Sequence, residues 1–258
     1  ENPSYARIAK QLEQGARARG YQLLIASSDD APDSERQLLK LFRARRCDAL
    51  FVASCLPPED DSYRQLQDLG LPIIAIDRTL EPARFCSVIS DDCEASLQLT
   101  RSLLKPVPQQ IALIGARPEL SISQARAAGF KQALEGFGGE ILIEHGAAFS
   151  RECGRRIIDE LLERLGHFPE ALVTTSYVLL QGMFDALQEH PDQKPPLRLA
   201  TFGDTQLLDF LPLPVNAMGQ QHQLIAEKAL ELALAAIEER RYEPGIRAIA
   251  RTFKQRIQ

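Results

Sequence analysis

Asp77 and Arg78 stand side by side directly behind the apolar run 72–76. A carboxylate in that place accepts two sugar hydroxyls, and the adjacent guanidinium can grip a carboxylate or phosphate through two parallel N–H donors. The same two side chains would serve equally well in a salt bridge across an interdomain hinge. Arg126 follows the turn Ser121-x-Ser123. Two hydroxyls, the free N–H groups of a helix start and a guanidinium make an anion site. A serine N-cap followed by an ordinary surface arginine is the plainer alternative. Phe149 lies in an otherwise polar loop, where it either stacks on a ligand face or plugs a core.

Catalytic constellations are missing from this sequence. It has no G-x-S-x-G elbow, no Walker loop, no H-E-x-x-H and no G-x-G-x-x-G behind a strand. Gly136-Phe-Gly-Gly139 precedes a strand and is therefore a helix stop and turn rather than a phosphate cradle. His145, His167, His190 and His222 are scattered, and none has metal-ligand spacing. No metal or cofactor is expected, and nothing local supports a Cys–His nucleophile.

These residues need elements to hold them. Asn2-Pro3 marks a helix start, with a side-chain cap and then a residue whose missing N–H costs nothing. That helix extends to about residue 19, burying Tyr5, Ile8, Leu12 and Ala16 at helical spacing, and ends at Gly20. The run Tyr21–Ala26 predicts a strand buried on both faces. Helices over 34–46 and 61–69 then alternate with strands over 49–53 and 72–76. Further helices are expected over 93–104, 123–134, 151–165, 178–189 and 223–240, and strands over 111–115, 140–144, 171–175 and 197–202. A β-like stretch over 246–253 completes the chain. Strands and helices alternating in this way define an α/β chain with doubly wound parallel sheets. Residues 22–54 and 140–176 echo one another as strand, polar loop, helix and strand, which suggests two similar subdomains, each with its own sheet.

Open parallel sheets bind ligands beyond the carboxyl ends of their strands. The residues there are Ser27–Asp30, Ser54, Asp77-Arg78, Ser90–Asp92, Gly115–Ser123, Ala148–Ser150, Ser176-Tyr177 and Gly203–Thr205. Serine, aspartate and arginine dominate and histidine is absent, which suits hydrogen bonding to a small polar molecule better than proton shuttling.

Composition narrows the function classes further. The 258 residues leave room for one large or two smaller domains, and charged residues make up 25%. No apolar run approaches the roughly 18 residues of a membrane-spanning helix, so no membrane partner is expected. Thirty Lys and Arg against 35 Asp and Glu give a formal charge of −5, a poor balance for gripping nucleic acid directly. Five cysteines, an odd number without C-x-x-C spacing, fit reduced thiols in a cytoplasmic protein. The opening Glu1-Asn2-Pro3-Ser4 has no methionine, basic region or apolar region. It reads as the middle of something longer, and a removed leader or a preceding domain would look alike.

Several segments together resemble the effector-binding domain of the lactose/galactose repressor family. They are Asn2-Pro-Ser-Tyr-Ala-Arg-Ile-Ala9, Arg19-Gly-Tyr-Gln-Leu-Leu24, Pro72-Ile-Ile-Ala-Ile-Asp-Arg78, Ser87-Val-Ile-Ser-Asp91, Ile111-Ala-Leu-Ile-Gly115 and Arg126-Ala-Ala-Gly-Phe130. Leu56-Pro-Pro-Glu59, Pro118–Ser123, Leu172–Gly182 and Ala200–Leu211 look most like the fructose-responsive branch of that family. The resemblance implies a periplasmic-binding-protein-like fold of two subdomains joined by three crossovers. It puts residues 1–90 plus 221–245 in the first subdomain and 91–220 plus 246–258 in the second. It also implies a homodimer, and operator DNA bound through an N-terminal helix-turn-helix domain that is not present in this chain. The implied effector is fructose 1-phosphate first and fructose 1,6-bisphosphate second, held in the intersubdomain cleft.

The family's ligand positions carry over to Asp77, Arg126, Phe149 and Gln220. Ser176 replaces an asparagine of many relatives, so its reach is shorter. The family's Gly-aromatic-Asp-Asp turn becomes Thr201-Phe-Gly-Asp204 here. The resulting expectation is a sensor that performs no chemistry. Arg78 and Arg126 would hold the phosphate, helped by Asn2, Ser4, Ser121 and Ser123, while Ser54 lines a strand end. Asp77 and Asp204 would accept ring hydroxyls, with Gln220 at a crossover. A periplasmic sugar-binding protein of a transporter shares this fold, and the unpaired-looking cysteines and the fructose-branch segments argue against it. An enzyme acting on a sugar phosphate lacks its acid–base constellation.

Overall fold

In the computed structural model, residues 3–57, 59–196 and 198–257 are described. The chain divides into two compact units, Pro3–Ser90 with Gln221–Ile249, and Asp91–Gln220 with Ala250–Gln258. The expected Asn2 cap and the Asn2 ligand contact lie outside the described residues.

The first unit contains helices α1 (Pro3–Arg17), α2 (Pro32–Ala44) and α3 (Asp60–Gln67), and strands β1 (Leu50–Val52), β2 (Ile73–Ile76) and β3 (Cys86–Ser90). All four strands of its sheet are parallel, in the order β1-β2-β3-β9, where β9 is Gly245–Ile249. The period of two along β2 separates the two faces. Ile74 and Ile76 pack with Ile8, Leu12 and Ala16 of α1 and with Ile225 and Ala229 of helix α8 (His222–Glu238). Ile73 and Ala75 pack with Leu39 of α2 and Leu66 of α3.

The second unit continues with α4 (Asp92–Arg101), β4 (Gln110–Ala116), α5 (Ser121–Ala133), β5 (Glu140–Gly146), α6 (Arg151–Leu165), β6 (Ala171–Thr174), α7 (Tyr177–Glu189), β7 (Arg198–Phe202) and β8 (Val215–Gly219). Its sheet order is β10-β8-β7-β6-β4-β5, parallel except for β10 (Thr252–Lys254), which runs antiparallel to β8. Ala112 and Ile114 face α6 and α7, while Ile111 and Leu113 face α4 and α5. Asp91 caps α4 by accepting from the Glu94 amide, and Ser150 caps α6 by accepting from the Cys153 amide. Gly166 closes α6 in the left-handed region, at φ 76°.

Two sequence expectations are corrected and one unassigned segment gains structure. Tyr21–Ala26 has no regular secondary structure and pairs with no strand among the described residues, and Leu24 and Ile25 stand 58% and 66% exposed. An apolar run becomes a buried strand only where a neighbour takes its backbone groups. The stretch 246–253 is two strands in different sheets. Residues 246–249 therefore belong with the first unit, because β9 bonds in register to β3 from Cys86↔Gly245 to Ser90↔Ile249. The segment 203–219, to which the sequence reading assigned no element, carries a 3-10 helix (Gln206–Phe210) and β8.

Candidate functional site

In the first unit, β2 delivers Asp77 and Arg78 to its carboxyl end. The Asp77 amide still reaches the Val88 carbonyl at 3.0 Å, so sheet bonding persists while the backbone turns into the left-handed region at φ 68°. Aspartate tolerates that region better than bulky residues. The Tyr5 hydroxyl, from the first turns of α1, donates to Asp77 Oδ2 at 3.0 Å. Burial, and then the Asp77 charge, push the Tyr5 phenol well above its ordinary range, so it is a fixed donor at neutral pH. Sequence reasoning treated Tyr5 only as a core residue.

Arg78 is 6% exposed and lies against Asp30, with contacts of 2.7 Å to Oδ1 and 3.0 Å to Oδ2. Its Nη1 also donates to the Ser54 carbonyl at 3.3 Å. Burial opposes its charge, but Tyr5, Asp30 and Asp77 outweigh that and hold the guanidinium above its usual pKa. Its Nε is buried with no hydrogen-bond partner. Behind it, the buried Glu35 carboxylate accepts from Ser54 Oγ at 2.6 Å and from the Cys55 amide at 2.7 Å. Burial and Glu35 push the Cys55 thiol up to about 12. Ser54 is thereby committed to Glu35. Ser4 lies partly buried in the first turn of α1.

The second unit builds its own cluster. Arg126, on α5, is 6% exposed. Its Nε donates to Asp92 Oδ1 at 2.8 Å and its Nη1 to the Thr175 carbonyl at 2.5 Å, which leaves Nη2 for a ligand. Its guanidinium lies 4.3 Å from the centre of the Phe202 ring. The surface-arginine alternative is thus excluded for Arg126. Arg251, which sequence reasoning missed, meets the same Asp92 oxygen at 3.0 Å and lies 5.2 Å from the same ring.

The other predicted residues have varied surroundings. The buried Ser123 hydroxyl donates to the Ala116 carbonyl at 2.7 Å, so its proton holds the end of β4. Ser121 opens α5. Ser176 precedes α7 and makes no side-chain cap bond. Phe149 is partly buried and packs against the core between the sheet and α6–α7. Asp204 Oδ1 is engaged by Arg256 Nη2 at 2.7 Å. Gln220 is the half-buried residue after β8, where the chain leaves the second unit. No group of three or more His, Cys, Asp or Glu among the described residues could hold a metal, and no helix among them is long and apolar enough to cross a membrane.

These strand-end clusters donate and accept hydrogen bonds and carry charge, without an aligned nucleophile and base. The profile of periplasmic binding proteins and the sugar-binding domain of the LacI family matches residues 1–204. The chain belongs to this family. Its relatives narrow the kind of regulator. The fructose operon regulatory protein of Vibrio cholerae is 47% identical over 256 residues, covering 99% of this chain and 78% of the relative. The catabolite repressor/activator of Escherichia coli K12 is 40% identical over 258 residues, covering 99% of this chain and 77% of the relative. The crystal structure of the Cra transcriptional dual regulator from Pseudomonas putida, in complex with fructose 1-phosphate, matches with a TM-score of 0.97 and 74% identity, covering 100% of this chain and 96% of that one. The chain is of the fructose-operon and Cra type, a transcription-regulator class and not an enzyme class.

Proposed function

We propose that this chain binds fructose 1-phosphate as the effector of a transcription regulator of carbon metabolism. The observation that carries this reading is the 74% identical Cra protein of Pseudomonas putida crystallised with that ligand. The chemistry of the two clusters supports it. Asp77, held by Tyr5, presents a carboxylate to sugar hydroxyls, and the buried Nε–H of Arg78 is a donor awaiting an oxygen. Arg126 keeps Nη2 for the phosphate after its other nitrogens are engaged. Fructose 1,6-bisphosphate would be a second, weaker ligand. The protein works in the cytoplasm as a homodimer and meets operator DNA through a helix-turn-helix domain outside this chain. Effector binding releases DNA to the extent that the ligand prefers the DNA-free state.

Replacing Arg126 tests the assignment. Asp92 keeps Arg251 as its partner in Arg126→Ala, so the fold is expected to survive. Calorimetric titration should find fructose 1-phosphate binding abolished with the circular dichroism spectrum and Tm preserved. Unchanged affinity in this variant would remove Arg126 from the site.

A further inference from the structure

We infer that Asp30 is a positioning residue. Presented by a turn held in the left-handed region, it grips the outer end of the Arg78 guanidinium and so fixes the direction in which the remaining donor, Nε–H, meets a ligand oxygen. The inference deepens the sugar-phosphate reading above and rests on it.

The turn presents Asp30 in a fixed way. The Ala31 amide donates to the Ser28 carbonyl at 3.0 Å, and the two residues between them, Asp29 and Asp30, have φ of 51° and 56°. Two positive φ values in succession are the pattern of a type I′ turn, whose central places favour glycine, asparagine and aspartate. Asp29 serves the turn itself. Its amide donates to Ser27 Oγ at 3.2 Å, and that hydroxyl donates to Asp29 Oδ1 at 2.7 Å. The Asp30 side chain leaves the turn, and its two oxygens meet Arg78 Nη1 at 2.7 Å and Nη2 at 3.0 Å.

Arg78 is presented with equal constraint. Its amide donates to the Ile76 carbonyl at 2.7 Å across Asp77, whose φ is 68°. That is the γ-turn of positive φ, a rare and strained form. Asp29, Asp30 and Asp77 are three of the six non-glycine residues with positive φ among the described residues, and strained backbone of this kind gathers at ligand clamps. A grip through Nη1 and Nη2 spans the outer edge of the planar guanidinium and sets the direction of Nε–H. Arg78 is 6% exposed, and its Nε is buried without a hydrogen-bond partner. An ion pair that only tied the turn to the sheet would gain nothing from burying an unsatisfied donor, which costs free energy. A ligand oxygen on Nε–H removes that cost.

Asparagine is tolerated in the left-handed region, so Asp30→Asn keeps the turn and removes half of the grip. Calorimetric titration of this variant should find fructose 1-phosphate weakened by about 10-fold. Because Asp30 acts through the guanidinium, the same substitution should cost much less in an Arg78→Lys background, where no planar fork is left to orient. Asp30→Gly, which also suits the turn, replaces the asparagine variant if that one fails to fold. Wild-type affinity in the Asp30 variant, or an equal loss in both backgrounds, would overturn the proposal. A second readout needs no ligand. In a proton–nitrogen correlation spectrum, the Arg78 Nε–H signal, assigned by its absence from Arg78→Lys, should be protected from exchange with water and lose that protection in Asp30→Asn. Unchanged protection would also overturn the proposal. If protection is lost as expected but the wild type gives no heat with fructose 1-phosphate, the grip stands and the ligand reading falls.

Discussion

Cys55 sits within the first unit's cluster, where its amide donates to Glu35, and the effect of these surroundings on its thiol is measurable. An ordinary thiol ionises near pH 8.5, whereas burial and Glu35 hold Cys55 at about 12. At pH 9 an exposed thiol is therefore largely thiolate and Cys55 is not. Alkylation of the folded protein at that pH, followed by mass spectrometry, should modify the half-buried Cys47 and Cys93 well before Cys55. Early labelling of Cys55 would contradict this environment. At this scale the sequence was informative only where a residue's neighbours in the chain were also its neighbours in space. Asp77 was visible as a charge behind an apolar strand, and Arg126 as a charge behind a turn of two serines. Arg251 was not, because its partner Asp92 lies 159 positions away. Tyr5 was legible as a core residue, but nothing local predicts that its hydroxyl reaches Asp77 across 72 positions.

Helices α6 and α7 of the second unit depend on close backbone approach. A Cβ on Gly154 of α6 would stand 2.5 Å from the Leu179 carbonyl oxygen and 2.8 Å from its Cα on α7. Gly182 of α7 meets the α6 backbone at Arg151 and Arg155 in the same way. Alanine would favour an isolated helix, but here a backbone obstructs it and the helices must separate. Gly154→Ala should therefore destabilise the protein by about 1–3 kcal/mol in urea unfolding; stabilisation would show that α6 and α7 pack less tightly. Most helices and parallel strands were legible because their apolar periods are strong and their ends carry Asp, Ser, Gly or Pro signals. Val215–Gly219 was missed because Pro212 and Pro214 precede it and its neighbours β7 and β10 make it a strand. Tyr21–Ala26 was overread for the complementary reason, since its composition suits a strand whose partner the described residues do not supply.

Across the whole molecule, the chain passes between its two units after residues 90, 220 and 249, apart from the N-terminal residues. Each unit carries a doubly wound sheet with its own strand-end cluster, the first richer in carboxylates and the second in guanidiniums. A small molecule shifts a conformational equilibrium only as far as one state binds it better than the other. The family and its doubly wound sheets were legible from segments spread along the chain, while the handover between β9 and β10 depends on which sheet edge each strand completes. The most direct test of the sensor reading is a calorimetric titration of this chain with fructose 1-phosphate beside free fructose. Binding of the phosphorylated ketose with no heat from fructose is the expected result. Binding of free fructose with no response to fructose 1-phosphate would contradict it.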